Sequence, residues 1–405
     1  MIKPEFVPTT KQFLKSCQML ESLITKRETE LISLLVTYET HDAARDEITR
    51  SLEALQGFEA EILSLDNHLE DLNIATIFPL NLPLYSLIIF GIAPSVYSNN
   101  VYIRPPEIMT NILNELFKIL EINKLFPNVS LKPSPRHIFI ELYASEADVI
   151  IFTGKYENAL AIQKQCKQAL LIYNGSGVNP FIIFENADIK LAAEKAVEMR
   201  CFNSGQDCAG PDAFFIPSSR ADEFIKTLMT NLDEIEVGDT RIPSVRVGKT
   251  MKPTYIQELK VWLNEEKRNI VYGGVIDEEN QLVHPTIVRK NINQQAPHTF
   301  HEFFAPYFNV IEYDDVADLD AVIDAPAFRE RGMYISVFGD NQQVQAKLDF
   351  VQVLQNTIVN DVERGNEQYG GYGLHANFLL FGDRKLVQPV LISRDMHAML
   401  NHQDQ

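Results

Sequence analysis

One cysteine of this chain, Cys208, lies in a loop of small and polar residues that suits nucleophilic chemistry. Residues 203–210 read Asn-Ser-Gly-Gln-Asp-Cys-Ala-Gly and stand between a helix-like segment and a strand-like run at residues 213–216. A thiolate is strongly nucleophilic and forms a thioester that can be opened again, so Cys208 is suited to attack a carbonyl carbon. Taken alone, the residue has an equal alternative, a buried cysteine that packs as a small hydrophobe.

Five other short motifs place polar residues or glycines at turns between apolar segments. Alone, each has a plainer interpretation, such as a turn asparagine, a strand end with solvated charges or a glycine loop without chemistry. The motifs become informative because all five occur in one chain and in a particular order. They are Phe-Pro-Leu-Asn-Leu-Pro at 78–83, Val-Tyr-Ile-Arg-Pro-Pro-Glu at 101–107, Phe-Thr-Gly-Lys at 152–155, His-Glu-Phe-Phe-Ala-Pro at 301–306 and Tyr-Gly-Gly-Tyr-Gly at 369–373.

With the cysteine loop, these motifs resemble those of the aldehyde dehydrogenase superfamily. The resemblance extends from about residue 13 to about residue 400 in collinear order. It implies an α/β fold in which a Rossmann-type nucleotide-binding domain is joined to an α/β catalytic cysteine domain. It also implies NAD or NADP as cofactor and a small-molecule aldehyde or acyl thioester as substrate.

The resemblance implies roles for the residues nearest the chemistry. Cys208 takes the place of the family's nucleophile. Asn81 takes the place of the asparagine whose side-chain amide donates to the oxyanion of the tetrahedral intermediate, a contact that contributes roughly 3 kcal/mol to transition-state stabilisation. Tyr369, Gly370 and Gly371 match the loop that lines the substrate tunnel.

Further residues match family positions that contact the nicotinamide cofactor. At the pyrophosphate turn the chain departs from the family, because Lys155 stands where serine is usual and Lys-Pro-Ser-Pro-Arg at 132–136 replaces the glycine-rich loop. The turn still precedes a helix-like segment, whose N-terminus favours an anionic phosphate. The matching residues are Arg104 and Glu107 for the adenosine ribose, Thr153, Gly154 and Lys155 for the pyrophosphate, and Glu302 and Phe304 for the nicotinamide ribose and ring.

The departure with the largest chemical consequence is at Asn174. Hydrolytic members of the family have a glutamate there, which activates the water that opens the thioester, whereas residues 174–180 here read Asn-Gly-Ser-Gly-Val-Asn-Pro. An amide cannot take a proton at neutral pH, so water has no evident base. The resemblance therefore favours an acylating aldehyde dehydrogenase or an acyl-thioester reductase, in which coenzyme A or an acyl carrier replaces water.

Two alternatives stay open. A hydrolytic NAD(P)-dependent aldehyde dehydrogenase needs a base elsewhere, for which His301 is one candidate. A catalytically silent relative that serves as a binding or scaffold subunit is the other, as the altered phosphate loop indicates. Residues 73–77 also leave no room for the β-hairpin that joins subunits in the family, so we expect an oligomer that differs from the usual assembly.

Apolar periodicity predicts helices over residues 9–72 and an alternation of strands and helices from residue 74 onward. Continuous apolar runs such as Val-Ile-Ile-Phe at 149–152 are typical of parallel strands covered on both faces, the architecture of a nucleotide-binding domain. Helices are predicted at 84–97, 108–120 and 188–201. Strands are predicted at 74–78, 101–103, 138–142, 149–153, 181–184, 214–216, 308–311, 334–338, 357–359 and 378–381.

The length of 405 residues accommodates about two or three domains. We expect N-terminal helices and an NAD(P)-binding domain over residues 1–174, a catalytic cysteine domain over 175–361, and a C-terminal segment, 362–405, that packs back on both.

Charge and cysteine content narrow the class of protein. A net charge of −19 argues against nucleic-acid partners, and four scattered cysteines do not form a disulfide or metal-binding pattern. No apolar run reaches the ~20 residues that span a bilayer, and no signal peptide is evident. The sequence therefore predicts a cytoplasmic enzyme without metal, nucleic-acid or membrane partners.

Overall fold

The structure, a computed structural model, describes residues 9–63, 71–175, 177–294 and 302–401. Two sheets form its core, and helices cover both. In these residues no helix is both long enough and apolar enough to cross a membrane. The α-helices are α1 (Thr10–Lys26), α2 (Glu28–Leu35), α3 (His41–Leu63), α4 (Pro83–Leu87), α5 (Thr110–Ile119), α6 (Ile122–Leu125), α7 (Arg136–Phe139), α8 (Tyr156–Gln165), α9 (Ile189–Cys201), α10 (Ser218–Leu232), α11 (Pro253–Glu265), α12 (Asp318–Ile323), α13 (Pro326–Arg331), α14 (Gln342–Gln345), α15 (Val359–Val362) and α16 (Ile392–Asn401).

Shorter helical segments and the strands complete the described chain. The π-helical segments are Ile88–Ile92 and Ile140–Ala144, and the 3-10 segments are Ala93–Tyr97, Glu107–Met109, Phe202–Gly205 and Ile292–Gln294. The strands are β1 (Leu72–Ile77), β2 (Ser98–Arg104), β3 (Val129–Leu131), β4 (Val149–Thr153), β5 (Leu170–Asn174), β6 (Pro180–Ile183), β7 (Ala213–Pro217), β8 (Glu236–Val237), β9 (Val245–Val247), β10 (Ile270–Tyr272), β11 (Ile276–Asp277), β12 (Leu282–Val283), β13 (Thr286–Asn291), β14 (Tyr307–Tyr313), β15 (Tyr334–Phe338), β16 (Gln352–Gln355), β17 (Asn377–Phe381) and β18 (Arg384–Leu386).

The first sheet has seven strands in the order β18-β17-β5-β4-β1-β2-β3. The five strands from β5 to β3 are parallel, and β17 and β18 add an antiparallel edge. Along β4, Val149 and Ile151 enter the apolar core on one face, while Ile150 and Phe152 enter the core on the other. A continuous apolar run is therefore required, because successive side chains of a strand point to opposite faces.

The second sheet has seven strands in the order β10-β13-β14-β7-β6-β15-β16, parallel except for β10. On β7, Phe214 and Ile216 pack on one face and Ala213 and Phe215 on the other. These two sheets confirm the predicted α/β fold with parallel, doubly covered strands.

Two predicted strands are wrong. Residues 138–142 are helical, spanning the end of α7 and a π-helical turn, and the buried Phe139 and Ile140 face the core while Leu142 is 60% exposed. Short apolar runs fit a strand and a one-sided helix equally well, which explains the error. Residues 357–359 form a turn and the start of α15, and the edge strand of that region is the glutamine-rich β16.

The predicted buried helix over residues 84–97 is confirmed as a continuous helical run of α4, one π-helical and one 3-10 segment. The predicted N-terminal helices are confirmed up to Leu63, but Leu72 begins β1 rather than ending a helix. Gly57 lies inside α3, where a Cβ atom would be 1.8 Å from the side-chain oxygen of Asn366. The glycine therefore makes room for a C-terminal side chain, which offsets its low helix propensity.

Two buried carboxyl groups lie behind the turn that carries Asn81. Glu39 and Glu47 are 1% and 0% exposed, and Oε1 of Glu47 accepts the backbone N–H of Tyr85 at 2.8 Å, in the first turn of α4. Burial raises the pKa of Glu47 to about 7, and burial together with the Glu47 carboxyl raises the pKa of Glu39 well above its ordinary value. The pair therefore holds protons that the unfolded chain releases near pH 4.5.

We predict that this pair makes the fold less stable as pH rises. From about pH 4.5 upward the native state holds more protons than the unfolded state, so the free energy of unfolding falls as pH rises, by about 1.4 kcal/mol per pH unit for each carboxyl that stays protonated. For Glu47 this fall ends near pH 7. Glu39→Gln should flatten this fall, because only one carboxyl then remains. Urea denaturation at pH 5 and pH 8 measures the effect, and Glu59→Gln, an exposed position on α3, is the matched control. An equally steep fall in Glu39→Gln would exclude the pair as its cause.

Candidate active site

The candidate site lies where the carboxyl edge of the first sheet meets the amino edge of the second. From the first sheet, β1 leads into the Asn81 turn, β4 ends at Thr153 and β5 ends at Asn174. In the second sheet, the cysteine loop enters β7 and residues 302–306 enter β14. Parallel strands bring such ends together at one edge, which is why residues far apart in sequence meet here.

The cysteine loop leaves α9 through a strained turn. Asn203, Ser204 and Gly205 have φ angles of 46°, 63° and 75°, all in the left-handed region that non-glycine residues rarely adopt. At Gly205 a Cβ atom would be 2.3 Å from the carbonyl carbon of Ala305. The glycine therefore allows the cysteine loop to pass directly against the segment before β14. Strain of this kind persists where surrounding contacts hold it, and it clusters at functional sites.

Those contacts centre on a buried arginine at the end of α9. The Arg200 side chain is fully buried and donates to the backbone carbonyls of Pro211, Gly205 and Phe303. Its Nη1 lies 3.8 Å from Oδ1 of Asp212. Burial raises the pKa of Asp212 to about 6, against the lowering effect of Arg200 and of two backbone N–H donors. One guanidinium thus joins the cysteine loop to residues 302–306.

Asn179 fixes the backbone position of Cys208. Its Nδ2 donates to the carbonyl oxygen of Cys208 at 2.7 Å, and its Oδ1 accepts the backbone N–H of Tyr334 at 3.2 Å. Its own backbone N–H donates to Asp212 at 3.1 Å. A single buried amide therefore positions Cys208 relative to β15 and to the Arg200–Asp212 pair.

Cys208 opens onto a small cavity of about 100 Å³ between the two sheets. It is half-buried, whereas the other three cysteines, Cys17, Cys166 and Cys201, are fully buried. The structure brings most of the predicted catalytic and substrate residues to this cavity. Among the residues lining it are Asn81, Thr153, Asn174, Cys208, Tyr369 and Gly370.

Asn81 is held in its turn by contacts from neighbouring helices. Ser86 Oγ donates to the carbonyl oxygen of Asn81 at 3.3 Å, and the hydroxyl of Tyr38 donates to the carbonyl oxygen of Leu80. Leu82 has a φ of 51°, an unusual left-handed conformation that directs the chain into Pro83 and α4. The turn thereby presents Asn81 toward the cavity of Cys208.

Asn174 is linked to the glycine loop through Asn377 on β17. Asn377 Nδ2 donates to Oδ1 of Asn174 at 3.2 Å, and Asn377 Oδ1 accepts the backbone N–H of Gly371 at 2.9 Å. Gly370 has a φ of 87°, and a Cβ there would be 1.9 Å from Asn377 Oδ1. The loop of Tyr369 to Gly371 therefore requires glycine and lies directly against Asn174.

Three acidic residues act on the thiol, and the sequence singled out only Glu302 among them. Burial, followed by the charges of Asp207, Glu302 and Glu363, raises the pKa of Cys208 well above its ordinary value. Glu363 follows α15 and accepts a hydrogen bond from the hydroxyl of Tyr334. The thiol is thus protonated at neutral pH in this state, and a proton acceptor is needed for it to attack.

The predicted cofactor residues divide between two places. Lys155, Glu302 and Phe304 line a cleft of about 750 Å³, while Thr153 lines the cysteine cavity instead. Lys155 is the N-cap residue of α8, and the carbonyl of Gly154 accepts the hydroxyl of Tyr173 at 3.0 Å. The large cleft therefore contains the end of the pyrophosphate turn and the segment that leads to β14.

Aromatic rings form much of the wall of this cleft. Phe304 stacks on Tyr255 with ring centroids 5.1 Å apart, and Tyr156 stacks on His375 at 4.0 Å. Tyr156 is the first residue of α8 and His375 belongs to the C-terminal segment. The C-terminal segment thus closes one side of the cleft, a contact that the sequence did not indicate.

Arg104 and Glu107 line neither the cleft nor the cysteine cavity. Arg104 lies at the end of β2, where its Nε donates to the carbonyl oxygen of Ser134 at 3.0 Å. Burial and the nearby Arg136 lower the pKa of Arg104, and Glu107 begins the 3-10 segment that follows. Two guanidinium groups thus stand at the carboxyl ends of β2 and β3.

The candidate base His301 lies outside the described residues.

We predict that Arg200→Met destabilises the protein by about 3–5 kcal/mol, because it leaves Asp212 buried without its cation. Adding Asp212→Asn should recover part of the loss, since neighbours that share one network are not additive. Urea denaturation measures both variants. Arg27→Met is the control, because the exposed Arg27–Glu30 pair contributes under ~1 kcal/mol. Equal losses at Arg200 and Arg27 would contradict this account.

Comparison with known proteins agrees with this arrangement. The sequence is 24% identical over 311 residues to 4,4'-diaponeurosporen-aldehyde dehydrogenase of Staphylococcus aureus, covering 73% of this chain and 65% of that protein. It is 20% identical over 312 residues to a lactaldehyde dehydrogenase of Methanococcus maripaludis, covering 74% of this chain and 65% of the relative. The chain thus spans just under two thirds of the length of these relatives.

Solved structures share the fold. The NADP complex of the glyceraldehyde-3-phosphate dehydrogenase GapN from Methanocaldococcus jannaschii superposes with a TM-score of 0.78 at 20% identity, covering 93% of this chain and 86% of that one. A mutant of Proline Utilization A from Bradyrhizobium japonicum superposes with a TM-score of 0.79, covering 91% of this chain and 41% of that one. The model of the aldehyde dehydrogenase family matches residues 18–375. The predicted resemblance is therefore confirmed, and this chain belongs to the aldehyde dehydrogenase family.

Proposed function

We propose that this chain interconverts an aldehyde and an acyl thioester through a covalent adduct on Cys208, with NAD or NADP as cofactor. Support for an aldehyde comes from family membership and from relatives that are named aldehyde dehydrogenases. The assignment to acyl-thioester chemistry, rather than to hydrolysis, rests on Asn174. Its amide lines the cysteine cavity and accepts a hydrogen bond from Asn377, so it has no capacity to take a proton from water.

The reaction begins at Cys208 and Asn81. The sulfur forms a bond to the carbonyl carbon of the aldehyde, and the carbonyl oxygen takes up the electron pair as an oxyanion. Asn81, which lines the same cavity, donates its side-chain amide to that oxyanion. The resulting thiohemiacetal becomes a Cys208 thioester when a hydride leaves the carbon. A thiol, such as coenzyme A or an acyl carrier, then receives the acyl group, and the reverse sequence reduces an acyl thioester.

The large cleft fits a nicotinamide dinucleotide. Its volume of about 750 Å³ lies within the usual range of cofactor sites, and its walls combine aromatic rings with charged groups. Lys155 and the first turn of α8 would hold the pyrophosphate, Glu302 the nicotinamide ribose, and Phe304 the ring. Bound there, the cofactor supplies hydride transfer. Arg104 and Glu107 would contact the adenosine ribose, and the neighbouring Arg136 is compatible with a 2′-phosphate.

Domain boundaries and assembly are part of the same proposal. The sheet memberships support boundaries near residues 174 and 361, because β1–β5 belong to the first sheet and β6, β7, β10 and β13–β16 to the second. Pairing of β17 with β5 supports a C-terminal segment that packs back on the first unit. We also propose a cytoplasmic protein whose oligomer, if it forms one, differs from the usual family assembly.

A hydrolytic aldehyde dehydrogenase is the second candidate. Glu363 favours it, because this carboxyl lines the same cavity as Cys208 and burial raises its pKa. The distinction between the two candidates is whether water or a thiol opens the Cys208 thioester.

We predict that the enzyme oxidises an aldehyde for one turnover and then stalls as the Cys208 thioester. A thiol acceptor should release the block, and an acyl thioester with reduced cofactor should run the reaction backwards. Reduced-cofactor absorbance follows the turnover, and mass spectrometry of the stalled protein should find the acyl group on Cys208. Asn174→Glu should restore water-dependent turnover, since general-base catalysis is typically worth ~10²–10⁴-fold.

Cys208→Ala is the matched control, and it should abolish turnover while the fold persists. Rapid steady-state turnover by the unmodified protein without added thiol would favour the hydrolytic candidate. Failure to bind either NADH or NADPH at millimolar concentration, in a fluorescence titration, would favour a catalytically silent relative.

A further inference from the structure

Glu363 lines the same cavity as Cys208 and is held there by contacts from other parts of the chain. The residue follows α15, its carboxyl lines the cavity of Cys208, and the hydroxyl of Tyr334 on β15 donates to its Oε2. The backbone N–H of Gly370 donates in turn to the Tyr334 hydroxyl at 2.8 Å. Gly370 belongs to the glycine loop that contacts Asn377 and, through it, Asn174. A carboxyl with a fixed orientation is therefore built into the cavity where the family's glutamate is missing.

The charges around Glu363 keep it usable as a base. Burial raises its pKa above the ordinary value, while Arg50 and the Tyr334 hydroxyl lower it. Arg50 is itself held by Asp46 on α3 at 2.7 Å and by the side chain of Asn360 at 3.1 Å. The titratable and charged groups that face Glu363 are Asp46 and Arg50 on α3, Tyr85 on α4, Asp207 and Cys208 on the cysteine loop, Tyr334 on β15 and Tyr369 on the glycine loop.

Asp207, the other acidic residue of the cavity, already accepts a hydrogen bond from its own turn. Oδ1 of Asp207 accepts the backbone N–H of Ala209 at 2.8 Å and thereby shapes the turn that carries Cys208. Asn174 cannot accept a proton. The cavity of about 100 Å³ is large enough to hold water between its lining residues.

We propose that Glu363, oriented by Tyr334, accepts the proton of the Cys208 thiol as the sulfur attacks. The S–H bond breaks, its proton moves to Glu363 directly or through a bridging water, and its electron pair forms the C–S bond. The carbonyl π pair moves to the oxygen beside Asn81. This inference rests on the proposed role of Cys208 as nucleophile, and it applies equally whether a thiol or water later removes the acyl group. Tyr334 is a positioning residue in this account.

A cofactor-free acylation assay isolates this step. With p-nitrophenyl acetate, attack by Cys208 releases one p-nitrophenolate per site in a burst, and the thiol proton must leave as the C–S bond forms. Stopped-flow absorbance measures the burst rate between pH 5 and 9, with Cys208→Ala as background. In parallel, iodoacetamide alkylation of Cys208, followed by mass spectrometry, reports the thiolate itself.

The burst rate and the alkylation rate should respond differently in Glu363→Gln. The burst should slow by roughly 10²–10⁴-fold, because the base is lost. Alkylation at pH 7 should be unchanged or faster, because the removed negative charge had raised the pKa of the thiol. Glu367→Gln, an exposed carboxyl of the same segment, should leave both rates unchanged.

Tyr334→Phe provides a second test that does not remove the carboxyl. The hydroxyl lowers the pKa of Glu363, so loss of the hydroxyl should move the acidic limb of the pH profile of the burst rate to higher pH. An unchanged burst in Glu363→Gln, a parallel loss of burst and alkylation, or an unshifted limb in Tyr334→Phe would overturn the proposal for Glu363. Absence of any Cys208-dependent burst in the unmodified protein would instead refute the proposed nucleophile.

Discussion

The buried guanidinium of Arg200 is the contact on which the geometry of the site depends. It lies at the last turn of α9, yet its donors reach the cysteine loop at Gly205, the residues before β7 at Pro211 and the segment before β14 at Phe303. Asp212 balances its charge and accepts the backbone N–H groups of Asn179 and Phe303. A buried charge is tolerated only when it is paired and hydrogen-bonded in this way. The position of the cysteine loop relative to the cleft therefore follows from one ion pair rather than from loop sequence alone.

A second, neutral link connects the C-terminal segment to the first sheet. Because β17 pairs antiparallel with β5, Asn377 is opposite Asn174 at the edge of the cavity. The side chain of Asn377 then holds the glycine loop, whose Gly371 packs against the backbone at Gly332. Strand β17 thus brings Asn377 to the cavity beside Asn174, which lies 203 residues earlier in the chain. This pairing explains why the glycine loop tolerates so little side-chain bulk.

The sequence predicted eight of the fourteen strands in the two large sheets, and several residues at strand ends, because both depend on local patterns. Continuous apolar runs such as β4 are unambiguous, whereas the one-sided helix over residues 138–142 and the polar edge strand β16 have patterns that fit other structures equally well. The cavity residues Asn81, Asn174 and Cys208 were found from motifs. Arg200, Asn179, Tyr334 and Glu363 were not, because their roles arise from contacts between distant segments. The one available signal was an arginine among apolar residues in the last turn of α9.

The two parts of the site differ in charge, and this difference follows from where each lies in the fold. The cleft beside α8 receives the positive end of the helix and Lys155, which together favour an anionic group. The cysteine cavity receives Asp207 and Glu363, with Arg50 balancing only part of their charge. Active-site cysteines that rest as thiolates have cations near the sulfur, which lower the thiol pKa. Here burial, and then the neighbouring carboxyl groups, raise the pKa of the thiol, so attack by Cys208 requires a proton acceptor, the role proposed for Glu363.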